Sequence, residues 1–277
     1  MVKSRWSHAL VYLLLILSCL LIALPFYMAI IAAFKTPLEN MESYFAFPKS
    51  LYLGNFAEVL TRQGYYQSVF NTFYITILGV AGMIVILPMA SFPIARKMGT
   101  SRAYRLLYFF MLVGIFVPFQ VKMMPLVKLA GSMNLMNVNG IILLYLAGSV
   151  CEGVFLYVGY IQSIPPDLEE AAYIDGASTL RTYGSVILPL IKPMIATVSI
   201  KNALWLWNDF LLPLLILNKS TEDWTLTLFQ YNFKTKFSSD PTLIMTSFLL
   251  SMLPVFIAYL FAQRYIIGGL VSGGVKA

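Results

Sequence analysis

The first constraint on the fold is an uncharged apolar segment near the amino terminus, at residues 9–34. It is long enough to cross a bilayer, which takes about 20 mostly apolar residues, and it is too long for the core of a cleavable signal peptide. Of the 277 residues, 59% are hydrophobic and only 11% are charged, whereas soluble proteins carry roughly a quarter charged residues. We therefore predict an all-α integral membrane protein and exclude a water-soluble globule.

Further apolar segments predict a six-helix transmembrane bundle that forms a single domain, 1–277. The expected spans lie at about 9–34, 68–95, 106–130, 140–163, 193–217 and 242–262. Prolines interrupt several of them, and we expect kinks or breaks at Pro88, Pro93, Pro118, Pro125, Pro213 and Pro254. An even number of spans places both termini on the same side of the membrane.

The connections on the two sides of the membrane differ in their content of Lys and Arg. One side holds Lys3, Arg5, Arg96, Lys97, Arg102, Arg105, Arg181, Lys192, Arg264 and Lys276. The other side holds only Lys35, Lys49, Arg62, Lys219, Lys234 and Lys236. Because cytoplasmic loops are enriched in these residues, we predict a multi-pass membrane protein with both termini in the cytoplasm. The net charge of +7 then requires no nucleic-acid partner.

Residues that carry common catalytic chemistry are scarce. The one histidine, His8, precedes the first span, which excludes a Ser-His-Asp triad and an HExxH zinc helix. Cys19 and Cys151 both lie in apolar segments, where buried thiols are more typical than a disulfide. The sequence also lacks a phosphate-binding loop. We predict that the chain has no catalytic residue and no metal site, and that it binds no cofactor.

Five charged residues lie inside the predicted spans: Lys122, Lys128, Glu152, Lys201 and Asp209. An unpaired charge at the centre of a bilayer costs about 2.5–3.5 kcal/mol on insertion scales, so these side chains should face protein or water. Glu152 lies near the middle of span four, and Lys122 and Lys201 approach that depth from opposite directions. We predict that Glu152 pairs with Lys201 or Lys122; the alternative is that these charges border a polar cavity.

The cytoplasmic loop between spans four and five, here called the loop 164–192, has clear helix signals. Pro165 and Pro166 end the preceding helix. Asp167 is expected to be the N-cap of a short helix, and Glu170, three residues later, completes an acidic capping box.

The short helix is expected to expose a smooth surface and to end sharply. Leu168, Ala171 and Ala172 share one face by their spacing, and a partner could approach them closely. Gly176 is a predicted left-handed C-cap. Ser178 is expected to cap a second helix that ends near Pro189. The loop 164–192 therefore predicts a bent pair of helices that suits docking.

The same loop resembles the EAA signature of the permease subunits of ABC importers. The matching residues are Glu170-Ala171-Ala172, Gly176, Val186 and Leu188-Pro189. The family usually has isoleucine where Val186 stands, which is a conservative departure. LWLWNDFLLPLLIL at 204–217 is similar to the fifth span of carbohydrate-importer permeases, and QRYIIGGLVSGGVKA at 263–277 is similar to their tail. The chain most resembles the smaller, six-span permease of maltose-type importers.

This resemblance implies a location in a bacterial or archaeal cytoplasmic (inner) membrane, and it also implies partners. Glu170, Ala171, Ala172, Asp175 and Gly176 would dock into a cytoplasmic ABC ATPase dimer, which would use ATP and Mg. A second permease subunit would complete a heterodimer, and an extracellular or periplasmic solute-binding protein would deliver a carbohydrate. ATP-driven closure would then tilt spans four and five in an alternating-access cycle.

Trp205, Trp207, Asn208 and Asp209 are candidates for the substrate pathway. Aromatic rings beside amide and carboxylate groups suit a sugar, although tryptophan also gathers at membrane interfaces. The resemblance places the principal sugar site largely in the larger permease. Two alternatives remain open: an ABC permease for a polyol, glycerol phosphate or amino acid, and an integral-membrane enzyme that modifies lipids.

Overall fold

The computed structural model describes residues 5–231 and 240–274, with the side chains of all of them except 5–9, 262 and 264–274. Several residues used above for orientation lie outside this part or have side chains outside it: Lys3, Arg5, Lys234, Lys236, Arg264 and Lys276. Residues 275–277 of the predicted tail also lie outside the described residues. Every regular element in the described part is a helix, which confirms the all-α prediction.

The helices follow the chain in this order. The first group is α1 (Arg5–Ala33), α2 (Pro37–Glu42), α3 (Gly54–Thr61), α4 (Tyr65–Lys97), α5 (Arg102–Ile115), α6 (Phe119–Ser132) and α7 (Val138–Gln162). The second group is α8 (Asp167–Ile174), α9 (Thr179–Thr182), α10 (Leu188–Leu190), α11 (Lys192–Asn208), α12 (Leu211–Ile216), α13 (Leu226–Tyr231) and α14 (Pro241–Gly274). A π-helical turn, Tyr183–Ile187, joins α9 to α10.

Four described segments are long and apolar enough to cross a membrane as single helices. They are Leu10–Ala33, Tyr65–Lys97, Val138–Gln162 and Pro241–Phe261. Two bent pairs also qualify when each is taken as one span: Arg102–Ile115 with Phe119–Ser132, and Thr179–Leu190 with Lys192–Asn208. The count of six spans therefore depends on these two broken helices.

The third predicted span, 106–130, is broken near its middle. Helices α5 and α6 meet at an angle of 105°. Pro118 precedes α6 with an extended backbone, at φ −59° and ψ 147°. Proline has no N–H to continue the α5 hydrogen bonds, and it pushes the residue before it away from helical geometry. The sequence indicated a kink here, and the structure has a sharp turn.

The fifth predicted span, 193–217, is interrupted at Asp209. Helix α11 ends at Asn208, and Asp209 is extended, with φ −68° and ψ 134°. The Asp209 carboxylate accepts a hydrogen bond at 3.1 Å from the backbone N–H of Leu211, which starts α12. Aspartate commonly stabilises such local turns through its own side chain. The break therefore lies at Asp209, whereas the sequence predicted a kink or break at Pro213, which lies inside α12.

The chain divides into two compact units, the first combining residues up to Tyr66 with 229–256 and the second combining 67–228 with the residues from 257 onward. In the first unit, buried Asn55 ties down the end of α1 by donating to the carbonyls of Ala33 and Lys35, at 2.9 Å and 2.8 Å. The buried Lys35 ammonium donates to the Ser43 carbonyl at 2.9 Å. That residues 1–277 form a single transmembrane domain stays a prediction.

The core of the second unit is built around α7, against which α5, α11 and α12 pack. Tyr145, Val154, Tyr157 and Ile161 of α7 are buried in this core. Gly153 permits close helix approach, because a Cβ there would lie 2.6 Å from Leu87 on α4. Small residues allow this packing between membrane helices. The second unit contains every predicted site residue.

Candidate functional site

Helix α8 in the loop 164–192 starts with Pro166 as its N-cap. The predicted capping role of Asp167 is wrong, because no side chain caps this end and Asp167 is already helical. The Pro166 carbonyl accepts the N–H groups of Glu169 and Glu170, at 2.8 Å and 3.1 Å. Its ring holds φ at −65°, close to the helical value, so the helix begins one residue earlier than predicted. The acidic residues then occupy the first turn, where the helix dipole favours negative charge.

The other end of α8 closes as predicted, with Gly176 in the left-handed conformation at φ 77°. The Gly176 N–H donates to the Tyr173 carbonyl at 3.0 Å, and the Ala177 N–H donates to the Ala172 carbonyl at 2.9 Å. This pair of bonds is a Schellman motif, which satisfies the last carbonyls of the helix.

The second predicted helix of the loop is also present. The Ser178 hydroxyl accepts a hydrogen bond from the Arg181 N–H at 3.4 Å and caps α9, as predicted. Helical geometry then continues through the π-helical turn and α10 to Leu190. A π-helical turn is a rare departure that often marks functional sites. The chain bends by 72° before α11 begins.

A buried ion pair attaches α8 to the end of α4. The Arg96 guanidinium lies 2.6 Å from the Glu169 carboxylate, and its Nη2 donates to the Ile164 carbonyl at 3.1 Å. The exposed fractions of the two side chains are 18% and 8%. Sequence reasoning missed this contact, because it used Arg96 only for orientation and gave Glu169 no partner. A separation of 73 residues carries no local signal.

The outer surface of the loop 164–192 presents the predicted docking residues together with larger apolar side chains. Glu170, Ala171, Asp175 and Gly176 are exposed, and Ala172 is half-buried. The two most exposed of the large apolar side chains in this loop were not predicted: Ile174 is 86% exposed and Leu180 is 73% exposed. Large apolar side chains that face water near a rigid turn are typical of a contact surface.

A substitution at Gly176 tests how far the Schellman motif stiffens the loop. Gly176→Ala places a Cβ in a left-handed conformation, which costs about 1–2 kcal/mol, and local opening should become roughly 5- to 30-fold more frequent. We expect limited proteolysis within 174–178 to accelerate by a similar factor. Gly99→Ala is the control, since nothing lies within 4 Å of a Cβ there. Equal proteolysis of the two variants would contradict the prediction.

Four of the five charged residues of the predicted spans lie in two places, whereas the fifth, Lys128, is exposed on α6. The Lys201 ammonium of α11 donates to the Glu152 carboxylate of α7. Both side chains are about half exposed. Lys122 lies elsewhere, in the lining of a cavity that also includes Asp209. The structure therefore brings Glu152 to Lys201 and not to Lys122.

That cavity, here called the α6–α12 cavity, has a volume of about 460 Å³. Gln120, Lys122, Tyr145, Trp205 and Asp209 line it, together with apolar residues. The Tyr145 hydroxyl donates to the Asp209 carboxylate at 2.8 Å. Sequence reasoning missed Tyr145, because an apolar helix gives no sign of which tyrosine faces a carboxylate 64 residues away.

The four predicted pathway residues do not form one group. Trp205 and Asp209 line the α6–α12 cavity. Trp207 is buried, with its ring edge against Phe73 at a centroid distance of 4.8 Å. Asn208 is exposed, and its amide donates to the Leu204 carbonyl at 2.8 Å. Trp207 therefore packs the core, whereas Trp205 and Asp209 share a cavity. Within the described residues, no three of the His, Cys, Asp and Glu side chains are grouped to hold a metal ion.

Comparisons with known proteins agree with this arrangement of helices. Residues 89–270 match the family described as binding-protein-dependent transport system inner membrane component. The fold is similar to a chain of a bacterial ABC transporter that imports the acidic polysaccharide alginate, with a TM-score of 0.79 and 22% identity. The similarity covers 96% of this chain and 99% of that chain.

Two curated relatives are similar over nearly their whole length. The multiple sugar-binding transport system permease protein MsmG of Streptococcus mutans is 42% identical over 96% of each chain. The probable starch degradation products transport system permease protein AmyC of Thermoanaerobacterium thermosulfurigenes is 34% identical, over 98% of this chain and 97% of its own. The chain belongs to the family of inner membrane components of binding-protein-dependent transport systems, which confirms the resemblance found in its loop 164–192 and its fifth span.

Proposed function

We propose that this chain is one of two permease subunits of an ATP-driven importer and that the pair moves a sugar or oligosaccharide across the cytoplasmic membrane. The observation that carries the proposal is the 42% identity, over 96% of each chain, to a permease named for multiple sugars. The second relative is named for the products of starch degradation. The cargo is therefore a carbohydrate, and alternating access between the two subunits moves it.

The loop 164–192 is the contact for a cytoplasmic ABC ATPase dimer. Helix α8 is closed at both ends by backbone hydrogen bonds, and the Arg96–Glu169 ion pair joins it to α4. Exposed Ile174 and Leu180 supply apolar area beside the acidic first turn. A stiff and anchored surface of this kind transmits a pull to the spans on either side. ATP and Mg belong to the ATPase partner.

The remaining partners follow from the orientation and the apolar surface. We place both termini in the cytoplasm, on the side that is richer in Lys and Arg. Helix α1 exposes most of its apolar side chains within this chain, so lipid or the second permease covers them. A solute-binding protein delivers the sugar to the opposite side.

Of the two alternatives to a sugar permease, the permease for another solute agrees with the observations better than the lipid-modifying enzyme does. A permease for a polyol, glycerol phosphate or amino acid uses the same coupling surface, so the loop 164–192 does not distinguish it from a sugar permease. A lipid-modifying enzyme is disfavoured, because the family consists of transport components.

Affinity purification of the chain from its native membrane in mild detergent tests the proposal. We expect an ABC ATPase, a second permease and a solute-binding protein to copurify and to be identified by mass. Ala172→Arg puts a bulky charge into the docking surface, and we expect it to lower ATPase recovery at least tenfold, an energy difference of about 1.4 kcal/mol. The second permease should still copurify.

Ala57→Arg is the matched control, because Ala57 is exposed on α3, on the predicted outer side of the membrane. It should leave ATPase recovery unchanged. A chain that purifies alone, with Ala172→Arg behaving like the parent, would overturn the importer proposal. In that case a lipid-turnover assay without ATP becomes the next test.

A further inference from the structure

We propose that the α6–α12 cavity is a sugar subsite on this chain and that it holds one ring of a neutral saccharide. The inference rests on the proposed function and adds to it, because the family resemblance assigns the principal sugar site to the other permease. In this cavity, charged, amide and aromatic side chains of the predicted spans line a common space.

The carboxylate of Asp209 is held in place before any ligand enters. One of its oxygens accepts from the Tyr145 hydroxyl at 2.8 Å, and the other accepts from the Leu211 N–H at 3.1 Å. The Asp209 carbonyl accepts from the Thr227 hydroxyl at 2.7 Å. A carboxylate has about four acceptor positions, so two bonds leave capacity for sugar hydroxyls. A group fixed in this way loses little entropy when a ligand binds.

The break between α11 and α12 places Asp209 in this position. Helix α11 ends at Asn208, and its last carbonyls lack the partners that a continuing helix would supply. Interrupted helices of this kind supply binding groups in the middle of many transporters, because irregular backbone in a membrane must line a cavity or be covered by protein.

Trp205 provides the apolar side of the subsite. Its ring lines the cavity, is 38% exposed, and lies edge-on to Tyr145 at a centroid distance of 5.3 Å. Gly148 also lines the cavity beside this ring, with its Cβ position 3.6 Å from the indole. The apolar face of a pyranose ring packs on aromatic rings, whereas its hydroxyls require hydrogen-bond partners.

The charges of the cavity select the class of sugar. Lys122 supplies donors, Asp209 supplies acceptors, and Gln120 supplies both. One positive and one negative side chain balance each other, so the cavity attracts no net charge. A uronic acid therefore gains no net attraction that would offset the loss of its hydration, and burying these polar groups against a lipid chain would leave them unpaired. A volume of about 460 Å³ is within the usual range for small-ligand sites.

Uptake by the whole importer in vesicles tests the subsite. Vesicles that contain both permeases, the ATPase and the binding protein are given radiolabelled maltotriose, raffinose, sucrose or galacturonate. We expect Trp205→Leu to raise the half-saturating concentration of the transported neutral sugar at least tenfold, and Trp205→Phe to restore it to within about threefold of the parent value. Asp209→Asn should lower the ratio of neutral-sugar uptake to galacturonate uptake at least fivefold.

A second measurement covers the case in which Trp205→Leu fails to assemble. In the assembled importer with Cys19 and Cys151 replaced by alanine, Ala147→Cys introduces a thiol into the cavity lining. We expect the neutral sugar to slow its alkylation by a maleimide at least fivefold. Ala81→Cys, at an exposed position of α4 that is not part of the lining, should show no such protection.

The outcomes separate this inference from the proposed function. If the parent importer takes up none of the sugars, the proposed cargo fails, and the subsite fails with it. If the parent transports a neutral sugar but Trp205→Leu keeps its half-saturating concentration, or if Ala147→Cys is unprotected, the subsite is overturned and the sugar cargo stands.

Discussion

Lys201→Met is expected to lower the amount of assembled permease pair in the membrane at least about tenfold, because it leaves the Glu152 carboxylate unpaired at membrane depth. Glu152 lies about 21 Å along the 25-residue helix α7, near its middle, at ~1.5 Å per residue. An uncompensated charge there costs about 2.5 kcal/mol, the lower end of the insertion scales, which we choose because both side chains are half exposed. That energy corresponds to a factor of roughly 60 in an equilibrium.

Glu152→Gln should impair assembly as well, since it strands the ammonium of Lys201 in the same surroundings. The double variant should recover at least half of the assembled pair, because removing both charges removes the cost of burying either one. Copurified second permease, measured against the total chain in the membrane, gives the yield. If the double variant does no better than the worse single variant, the pairing does not stabilise the protein.

Lys128→Met provides the matched control for Lys201→Met. Lys128 is also a lysine within a predicted span, but it is exposed on α6, and no ion pair with it is found among the described residues. Its replacement should change the assembled yield by less than about twofold. A loss as large as that of Lys201→Met would mean that positive charge alone, and not the pair, supports assembly.

The local features of the loop 164–192 were predictable because their signals lie within a few residues. Gly176 closes α8 in the left-handed conformation and Ser178 caps α9, as their positions predicted. The role of Asp167 was not predictable in the same way. The sequence predicted Asp167 as the N-cap, but Pro166 holds that position because its ring already has a helical φ.

The breaks in the spans were only partly visible in the sequence. Pro118 indicated a departure from regular helix, yet an angle of 105° depends on how α5 and α6 pack, which one proline does not encode. At Asp209 no proline marks the break, because the nearest one, Pro213, lies further along the chain inside α12. The turn there depends on the Leu211 N–H and on the Thr227 hydroxyl, which binds the Asp209 carbonyl from 18 residues away.

The contacts that build the candidate sites join distant parts of the chain. Arg96 meets Glu169 across 73 residues, and Tyr145 meets Asp209 across 64. A single sequence shows that charges in spans need partners, but it offers several partners for each. Glu152 illustrates this, because depth allowed Lys122 as well as Lys201, and helix packing selects Lys201.

Arg96→Ala is expected to lower the rate of sugar uptake about a hundredfold, while the ATPase still copurifies. The ion pair between Arg96 and Glu169 is the described link between α8 and the end of α4, and both side chains are largely buried. Removing one member of a buried pair costs about 3–5 kcal/mol, because the other charge stays without compensation. Helix α8 keeps its own backbone caps, so it still presents its docking surface but no longer moves α4. ATP hydrolysis then continues without transport.

The charge-swapped pair, Arg96→Glu with Glu169→Arg, separates transmission from simple folding. It should restore uptake at least tenfold over Arg96→Glu alone, since opposite charges again meet. Recovery should be incomplete, because the Ile164 carbonyl loses the donor that Arg96 supplies at 3.1 Å. Arg102→Ala is the control, at an exposed arginine of the same connection between α4 and α5, and it should leave uptake within about twofold. A structural defect would remove ATPase recovery and uptake together in Arg96→Ala, and the swap would then rescue neither, because the loop would no longer fold against α4. Uptake lost with the ATPase retained, and recovered by the swap, instead means that the ion pair carries the motion of α8 into the membrane.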